Sequence, residues 1–400
     1  MLNILPIIKE EIEVSKNTVE TPIPYSKHSI SQSDIDAVVE CLANAPITQG
    51  NLVPQFESNI SKKIGCVGSV ASNSATSSLH LACLALDVGA GDIVWTTPIT
   101  FVASANAPLM CGATVDFVDV DINTGNLCIK SFEQKIKLAK VKNKLPKVLI
   151  VVHFSGRPCK MRQISKICNE YGIRIIEDAA HALGSIQDQH LTGFCDNSDI
   201  TVFSLHPAKI ITSAEGGLAT SQKKHLIDRM KLLSSHGISR SIDANEPWKY
   251  DMVELGFNYR MSELHAALGI SQLKRIDSFI EKRKNIVKYY LDKIRKLPLE
   301  LPPYSSDSAW HLFVCQTQDK KTRKKLYQFL NEKNIHAAIH YRPIYQNSYF
   351  QKLGFNDADF PNAESYYSRS ISLPLHTEIK ERQLYYIVEK LYEFFGVNND

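Results

Sequence analysis

From about residue 67 to residue 205, short β-branched and aromatic runs alternate with longer segments of helical period, and this alternation limits the folds open to the chain. Strands are predicted at 93–97, 114–120, 148–153, 174–177 and 200–205, and helices at 77–86, 102–110 and 161–171. Several of the strand segments, VLIVV at 148–152 above all, are apolar throughout, as expected of a parallel strand covered on both faces. The pattern predicts an α/β domain built on a mainly parallel sheet. An earlier helix is predicted to start just after Ser31, with Ser33 and Asp34 as caps and Ile35, Val38, Val39 and Leu42 as its apolar positions. From Ser262 to about Leu297 an apolar period predicts one long helix leading into a smaller C-terminal α/β unit. That unit is expected to hold strands at 311–317, 335–340 and 370–373 and helices at 322–333 and 378–395. The expected organisation is an extension over residues 1–20, a large domain over 21–270 and a small domain over 271–400.

Composition removes several function classes. With 44% hydrophobic and 22% charged residues, the 400-residue chain is not a disordered one. A net charge of +4 is too small to imply a nucleic-acid partner. The lysine-rich stretch 130–147 has no interleaved aromatics and reads as a solvated helix and loop. No apolar run approaches the roughly 18 residues of a membrane-spanning helix, and the first residues lack the basic start of a secretion signal. The nine cysteines form no C-x-x-C pair and read as reduced core residues of a cytoplasmic protein. No metal is expected, because no His, Cys and acid cluster has ligand spacing.

Three segments carry chemistry. In FSLHPAKIITSAEGG, Lys209 follows a strand end within four residues, among Ile210, Ile211 and a glycine pair. Desolvation there would free its amine to act as a nucleophile, although taken alone the pattern favours a loop lysine with its head in water. In IIEDAAHALG, Glu177 and Asp178 end an apolar strand, where open α/β sheets bind ligands. A carboxylate there serves as a general base, as counter-ion to a cationic ring, or merely as a helix cap. The cap reading leaves His181, in an apolar setting, unexplained. In ASNSATSSLH, Thr76, Ser77 and Ser78 open a helix whose N–H groups and hydroxyls suit a phosphate, or form only a cap. Neither G-K-[ST] nor G-x-G-x-x-G is present, which disfavours a nucleotide-binding P-loop and a dinucleotide oxidoreductase. Together the segments supply what pyridoxal 5′-phosphate requires: an amine for its aldehyde, an acid for its ring nitrogen and an anion site, with Phe101 placed to cover the ring.

The motifs NSATSSLH, GDIVWTTPITFVASANA, GATVDFVDVD, IIEDAAHALG, FSLHPAKIITSAEGG and LGFNYRMSELHAALG resemble those of the DegT/StrS-type sugar aminotransferases, over nearly the whole chain. The resemblance implies the type I, aspartate aminotransferase-like fold with pyridoxal 5′-phosphate as cofactor. It implies that Lys209 holds the cofactor covalently, that Asp178 faces the pyridine nitrogen, and that His181 lies near the ring hydroxyl. Ala75, Thr76 and Ser204 match phosphate-binding positions, although the glycine often found in that loop is replaced here by Ser74 or Ala75. Asn258 matches a residue that reaches the phosphate of the neighbouring subunit, implying a homodimer with shared sites. PYSKHSIS, PITQG, WHLF and IHYRPIY are most similar to family members that aminate UDP-linked 4-keto sugars. In those enzymes the segments matching Tyr25, Ala45, Pro46, Ile47 and Thr48, and His340, Tyr341, Arg342 and Pro343, line the sugar-nucleotide pocket, with Ala75, Ser204 and Asn258 also in contact. The expected partners are thus a nucleotide sugar and an amino-acid donor, by analogy glutamate. Relatives that are dehydratases carry His in place of the lysine, so Lys209 favours transamination. Two alternatives remain: amination of another dTDP- or UDP-linked 4-keto sugar, and a non-catalytic binding or regulatory protein on the same fold.

Overall fold

The computed structural model describes residues 21–240, 246 and 248–398. The predicted extension over 1–20 lies outside them.

Seven strands form the central sheet: β1 (Gly68–Ser72), β2 (Ile93–Thr96), β3 (Thr114–Phe117), β4 (Val148–Val152), β5 (Arg174–Asp178), β6 (Ile200–Ser204) and β7 (Gly217–Ser221). Their order is β1-β7-β6-β5-β4-β2-β3. The sheet is parallel except for β7, which runs antiparallel to both neighbours. All five residues of β4 are buried, and they divide by parity. Val148 and Ile150 pack with Leu79, Leu81, Leu226 and Met230 on one face. Leu149 and Val151 pack with Phe132, Ile136 and Ile164 on the other. The covering helices are α3 (Ala75–Ala85) and α7 (Lys224–Ser234) on the first face and α5 (Ile129–Val141) and α6 (Met161–Glu170) on the second. α4 (Ala103–Met110) follows β2 and packs against α3.

The early helix is α1 (Gln32–Asn44), but its cap is Ser31, with Asp34 completing a capping box from the third helical position. It packs on α8 (Glu263–Leu273) through Asp34 and Cys41. The Asp34 carboxylate accepts from Gln272 and pairs with Arg275. This turns Ile35, Val39 and Leu42 outward, where each is about half exposed or more. The long helix expected from 262 to 297 is two: α8, then α9 (Ile276–Lys293), broken at Lys274–Arg275, where the Arg275 side chain reaches back to Ser29 and Asp34. α2 (Leu52–Ile64) also packs against α8.

In the last third of the chain, β8 (Phe313–Gln316) and β9 (Ser370–Leu373) pair antiparallel, flanked by α10 (Lys320–Glu332) and α11 (Glu381–Phe395). The strand expected at 335–340 is reduced to isolated bridges at Ile335 and Ala338. Ile23 bridges to Ile335 and is buried in this C-terminal core, so the first described residues stitch onto the last third of the chain. Every cysteine is free, and no described helix is long and apolar enough to cross a membrane.

Candidate active site

The carboxyl ends of β4, β5 and β6 open onto a cavity of about 410 Å³, lined among others by Val152, Asp178, His181, Ser204 and Lys209. The alternation along β5 separates its two acids, because successive side chains point to opposite faces. Glu177 turns away from the cavity. Its carboxylate takes the His153 ring at 2.6 Å, Thr201 at 2.9 Å and Ser198, forming a closed buried network. Asp178 turns into the cavity. Ser104 Oγ donates to its Oδ2 at 2.6 Å and the Ala180 N–H to its Oδ1 at 3.1 Å, and Ser104 is in turn bonded to Thr100.

Lys209 sits on the loop after β6. Its side chain is half-buried, since it forms part of the cavity wall, and its Nζ makes no hydrogen bond with any described residue. Burial pushes its pKa down to about 8, against the opposing pull of Asp178. Three buried histidines face the same space. The Ser155 N–H donates to His181 Nδ1 at 3.2 Å, so the ring proton belongs on Nε2, which lies 3.1 Å from the Tyr341 hydroxyl. Burial first, then the Lys209 amine, holds His181 well below the usual histidine range. The same two causes push His340 down to about 3, while burial and then His181 depress His311. These rings are neutral hydrogen-bonding groups at neutral pH. The His311 ring lies 4.3 Å from that of His181, tilted by 45°, and its buried Nδ1 has no hydrogen-bond partner among the described residues.

One wall is a helix N-terminus. Ser74 caps α3 by accepting from the Ser77 N–H at 3.1 Å, and Ala75 and Thr76 present the first turn to the cavity. Gly217 makes this approach possible: a Cβ there would lie 2.3 Å from the Ser74 carbonyl oxygen and 2.6 Å from the Ala75 nitrogen. Phe101 lines the mouth and is 60% exposed, 6.3 Å from the Tyr341 ring. An unengaged amine, a fixed carboxylate, an open aromatic face and a glycine-cleared helix start fit the aldehyde, ring nitrogen, ring and phosphate of pyridoxal 5′-phosphate.

Of the residues predicted from sequence, Tyr25, Ala75, Thr76, Phe101, Asp178, His181, Ser204, Lys209, His340 and Tyr341 share this cavity. Others do not reach it in a single chain. Ala45, Pro46, Ile47 and Thr48 form a mostly exposed turn before α2, and Asn258 is exposed beside Asn73. Arg342 is exposed and bonds to the Gln346 carbonyl, and Pro343 is buried. Ser104, Thr100, His311 and Glu215 were missed. Ser104 was within reach, because it opens the helix predicted over 102–110 and Thr100 stands four residues before it. His311 had no such signal beyond its WHLF setting. No group of three or more metal-ligating side chains occurs among the described residues.

An unengaged lysine after β6 and a buried aspartate at the end of β5, in this sheet order, fit a pyridoxal-phosphate-dependent aminotransferase of the type I fold, the class to which this chain belongs. The chain belongs to the DegT/DnrJ/EryC1/StrS aminotransferase family, whose profile matches residues 28–392. It is 37% identical, over 92% of its length and 96% of the relative's, to the UDP-4-amino-4,6-dideoxy-N-acetyl-beta-L-altrosamine transaminase of Campylobacter jejuni. It is 35% identical to the spore coat polysaccharide biosynthesis protein SpsC of Bacillus subtilis, over 92% of this chain and 95% of that one. Among solved structures, Helicobacter pylori PseC, an aminotransferase involved in the biosynthesis of pseudoaminic acid, superposes with a TM-score of 0.86 at 30% identity, covering 94% of this chain and all of that one. A sugar aminotransferase of Streptococcus pneumoniae gives 0.88 in its PMP form and 0.86 in its PLP form, both at 28% identity over 94% of this chain and 99% of that one.

Proposed function

We propose that this enzyme moves an amino group from an amino acid, glutamate by resemblance, to the C4 keto group of a UDP-linked 4-keto-6-deoxy-N-acetylhexosamine. The product is UDP-4-amino-4,6-dideoxy-N-acetyl-β-L-altrosamine, an intermediate for pseudaminic acid. The observation that carries the reading is the Lys209 amine, desolvated and unengaged, sharing a cavity with the fixed Asp178 carboxylate. The C. jejuni and H. pylori likenesses supply the sugar.

When bound, pyridoxal 5′-phosphate supplies an aldehyde carbon for the incoming amine and an electron-withdrawing ring. Lys209 would hold it, and Nζ, once released, would take the proton from the donor Cα and return it elsewhere as general base and acid. Asp178, held by Ser104 and the Ala180 N–H, would keep a proton on the ring nitrogen. The Nε2 proton of His181 is committed towards Tyr341, which leaves the Tyr341 hydroxyl its own proton to donate into the cavity. Ala75, Thr76 and Ser204 would bind the phosphate and Phe101 would cover the ring, while Tyr25, His340 and Tyr341 would meet the substrate. Amination by this protein of the UDP-linked 4-keto sugar, with glutamate, read by mass spectrometry and NMR at C4, tests the reading. Amination of a dTDP-linked 4-keto sugar and not of the UDP-linked one would transfer the assignment to the other branch of the family.

We further propose a cytoplasmic homodimer in which each site takes the partner subunit's Asn258 and the 45–48 turn. The exposed stripe Ile35, Val39 and Leu42, and the exposed Trp248, Met252 and Leu255, offer apolar surface for a second copy to bury. Subunit exchange checks this. Lys209→Ala and Asn258→Ala chains, each poorly active alone, should regain activity when mixed, through heterodimers with one intact site. No recovery despite verified exchange, or a fully active monomer, would refute the shared site.

A further inference from the structure

The segment LGFNYRMSELHAALG contains an acid that the proposed chemistry does not use. On the surface beside Arg260, Glu263 would be an ordinary ion-pair partner. Instead it is 1% exposed, and among the described residues no Lys or Arg pairs with it. Arg260 turns to Ser235 Oγ at 3.1 Å. The Glu263 carboxylate accepts three backbone N–H groups: Gly50 at 3.0 Å on Oε1, and Leu52 at 2.6 Å and Val53 at 3.3 Å on Oε2. The Glu263 N–H donates to the Ile47 carbonyl at 3.1 Å.

Two of those bonds cap a helix. Leu52 and Val53 open α2, whose own cap residue, Asn51, makes no side-chain capping bond, and a negative charge suits that end of the helix dipole. Capping alone leaves the other two bonds unexplained. Every hydrogen bond that residues 46–50 make with the described residues runs to Glu263. The turn carries no internal bond of its own, and Pro46, Ile47 and Thr48 are exposed at its tip. One buried residue therefore grips both limbs of the turn. It also opens α8 three residues after Arg260, so the 45–48 turn and the 258–260 segment share one anchor.

We propose that Glu263 is a positioning residue for the nucleotide-sugar half of the reaction, holding the Ala45–Thr48 turn in the conformation that meets the sugar nucleotide. The inference rests on the reading above that this turn serves the sugar.

Glu263→Gln places an N–H where an N–H acceptor is needed, while keeping the shape of the side chain. Gly50→Ala reaches the same contact from the other side and leaves α8 untouched, since a Cβ on Gly50 would stand 3.1 Å from Glu263 Oε2. In both holoenzyme variants, amide hydrogen exchange should quicken at Gly50, Leu52 and Val53. The KM for the UDP-linked 4-keto sugar should rise about tenfold or more. The donor half-reaction, followed by the cofactor's absorbance on adding glutamate, should stay within about twofold, because it does not involve the turn. A third variant, Ile47→Gly with Thr48→Gly, separates the two layers of the argument. If it leaves the sugar KM unchanged, the turn does not meet the sugar and the underlying reading fails. If it raises that KM while Glu263→Gln and Gly50→Ala alter neither exchange nor KM, the positioning role is overturned. Equal loss in both half-reactions would reduce Glu263 to a helix cap and overturn it as well.

Discussion

The reactivity of Lys209 can be tested without turnover. A lysine at its ordinary pKa of 10.5 is neutral in about one molecule in 3000 at pH 7, whereas at about 8 the neutral share is about one in ten, a gain of roughly two orders of magnitude. Burial drives the shift and the Asp178 carboxylate opposes it. Competitive labelling of the cofactor-free protein with acetic anhydride, resolved by residue in a mass spectrometer, reads the neutral fraction directly. Labelling of Lys209 should rise with pH to a midpoint near 8, below the ordinary lysine value of 10.5, because the amine reacts only once it has lost its proton. Asp178→Asn removes the group that favours the charged amine, so the midpoint should move down, not up. A Lys209 midpoint level with the surface lysines would show that the amine is solvated and would refute the argument from burial. An upward move in Asp178→Asn would refute the assigned sign of the coupling.

Three further outcomes follow from the same geometry. Asp178→Asn should still bind pyridoxal 5′-phosphate but turn over at least about a hundredfold more slowly, and activity within a few-fold of the parent would leave Asp178 as a cap alone. Glu177→Ala should destabilise the fold by about 3–5 kcal/mol in urea unfolding, because His153, Ser198 and Thr201 lose a shared buried acceptor. Its Lys209 labelling midpoint should be unmoved, since Glu177 faces away from the cavity. Gly217→Ala should weaken cofactor binding about tenfold or more in a fluorescence titration, because its Cβ would strike the Ser74–Ala75 backbone proposed to meet the phosphate; unchanged affinity would remove that wall from the site.

The parallel strands were legible where side-chain type and burial coincide. VLIVV and IIED announce strands covered on both faces, and both are fully or almost fully buried. β1 (GSVAS) and β7 (GLATS) were not predicted, because their small and hydroxyl residues carry little of the β-branched, aromatic signal. Both are nonetheless almost wholly buried, and β7 joins β1 to the rest of the sheet. Residue type could not separate Glu177 from Asp178. The alternation of β5 and the partners on each side do that, giving one acid to a closed network and the other to the cavity. The break between α8 and α9 was hidden for a related reason. The apolar period runs on through it, and only the long-range bonds of Arg275 to Ser29 and Asp34 show why the backbone turns there.

The misjudged apolar stripe and the predicted site residues that missed the cavity have one explanation in the proposed dimer. Ile35, Val39 and Leu42 have the spacing of a buried helix face, yet α1 buries Asp34 and Cys41 and leaves the stripe outside. Ala45, Pro46, Ile47, Thr48 and Asn258 match sugar- and phosphate-binding positions, yet in one chain they stand apart from Lys209. Apolar period and binding motif alike reflect the surfaces that end up covered, whichever chain covers them. A second copy seated on the α1 stripe would bury the first set, and a turn anchored by Glu263 beside Asn258 would have a reason to remain exposed until that copy arrives. The two observations are independent, one resting on side-chain exposure and the other on hydrogen bonds to a buried carboxylate. Substituting Val39→Lys and Leu42→Lys in the stripe should therefore shift the protein to a monomer in sedimentation and lower sugar turnover with it, although neither residue lines the cavity. A monomeric variant with full turnover would separate the two observations and leave the stripe without this explanation.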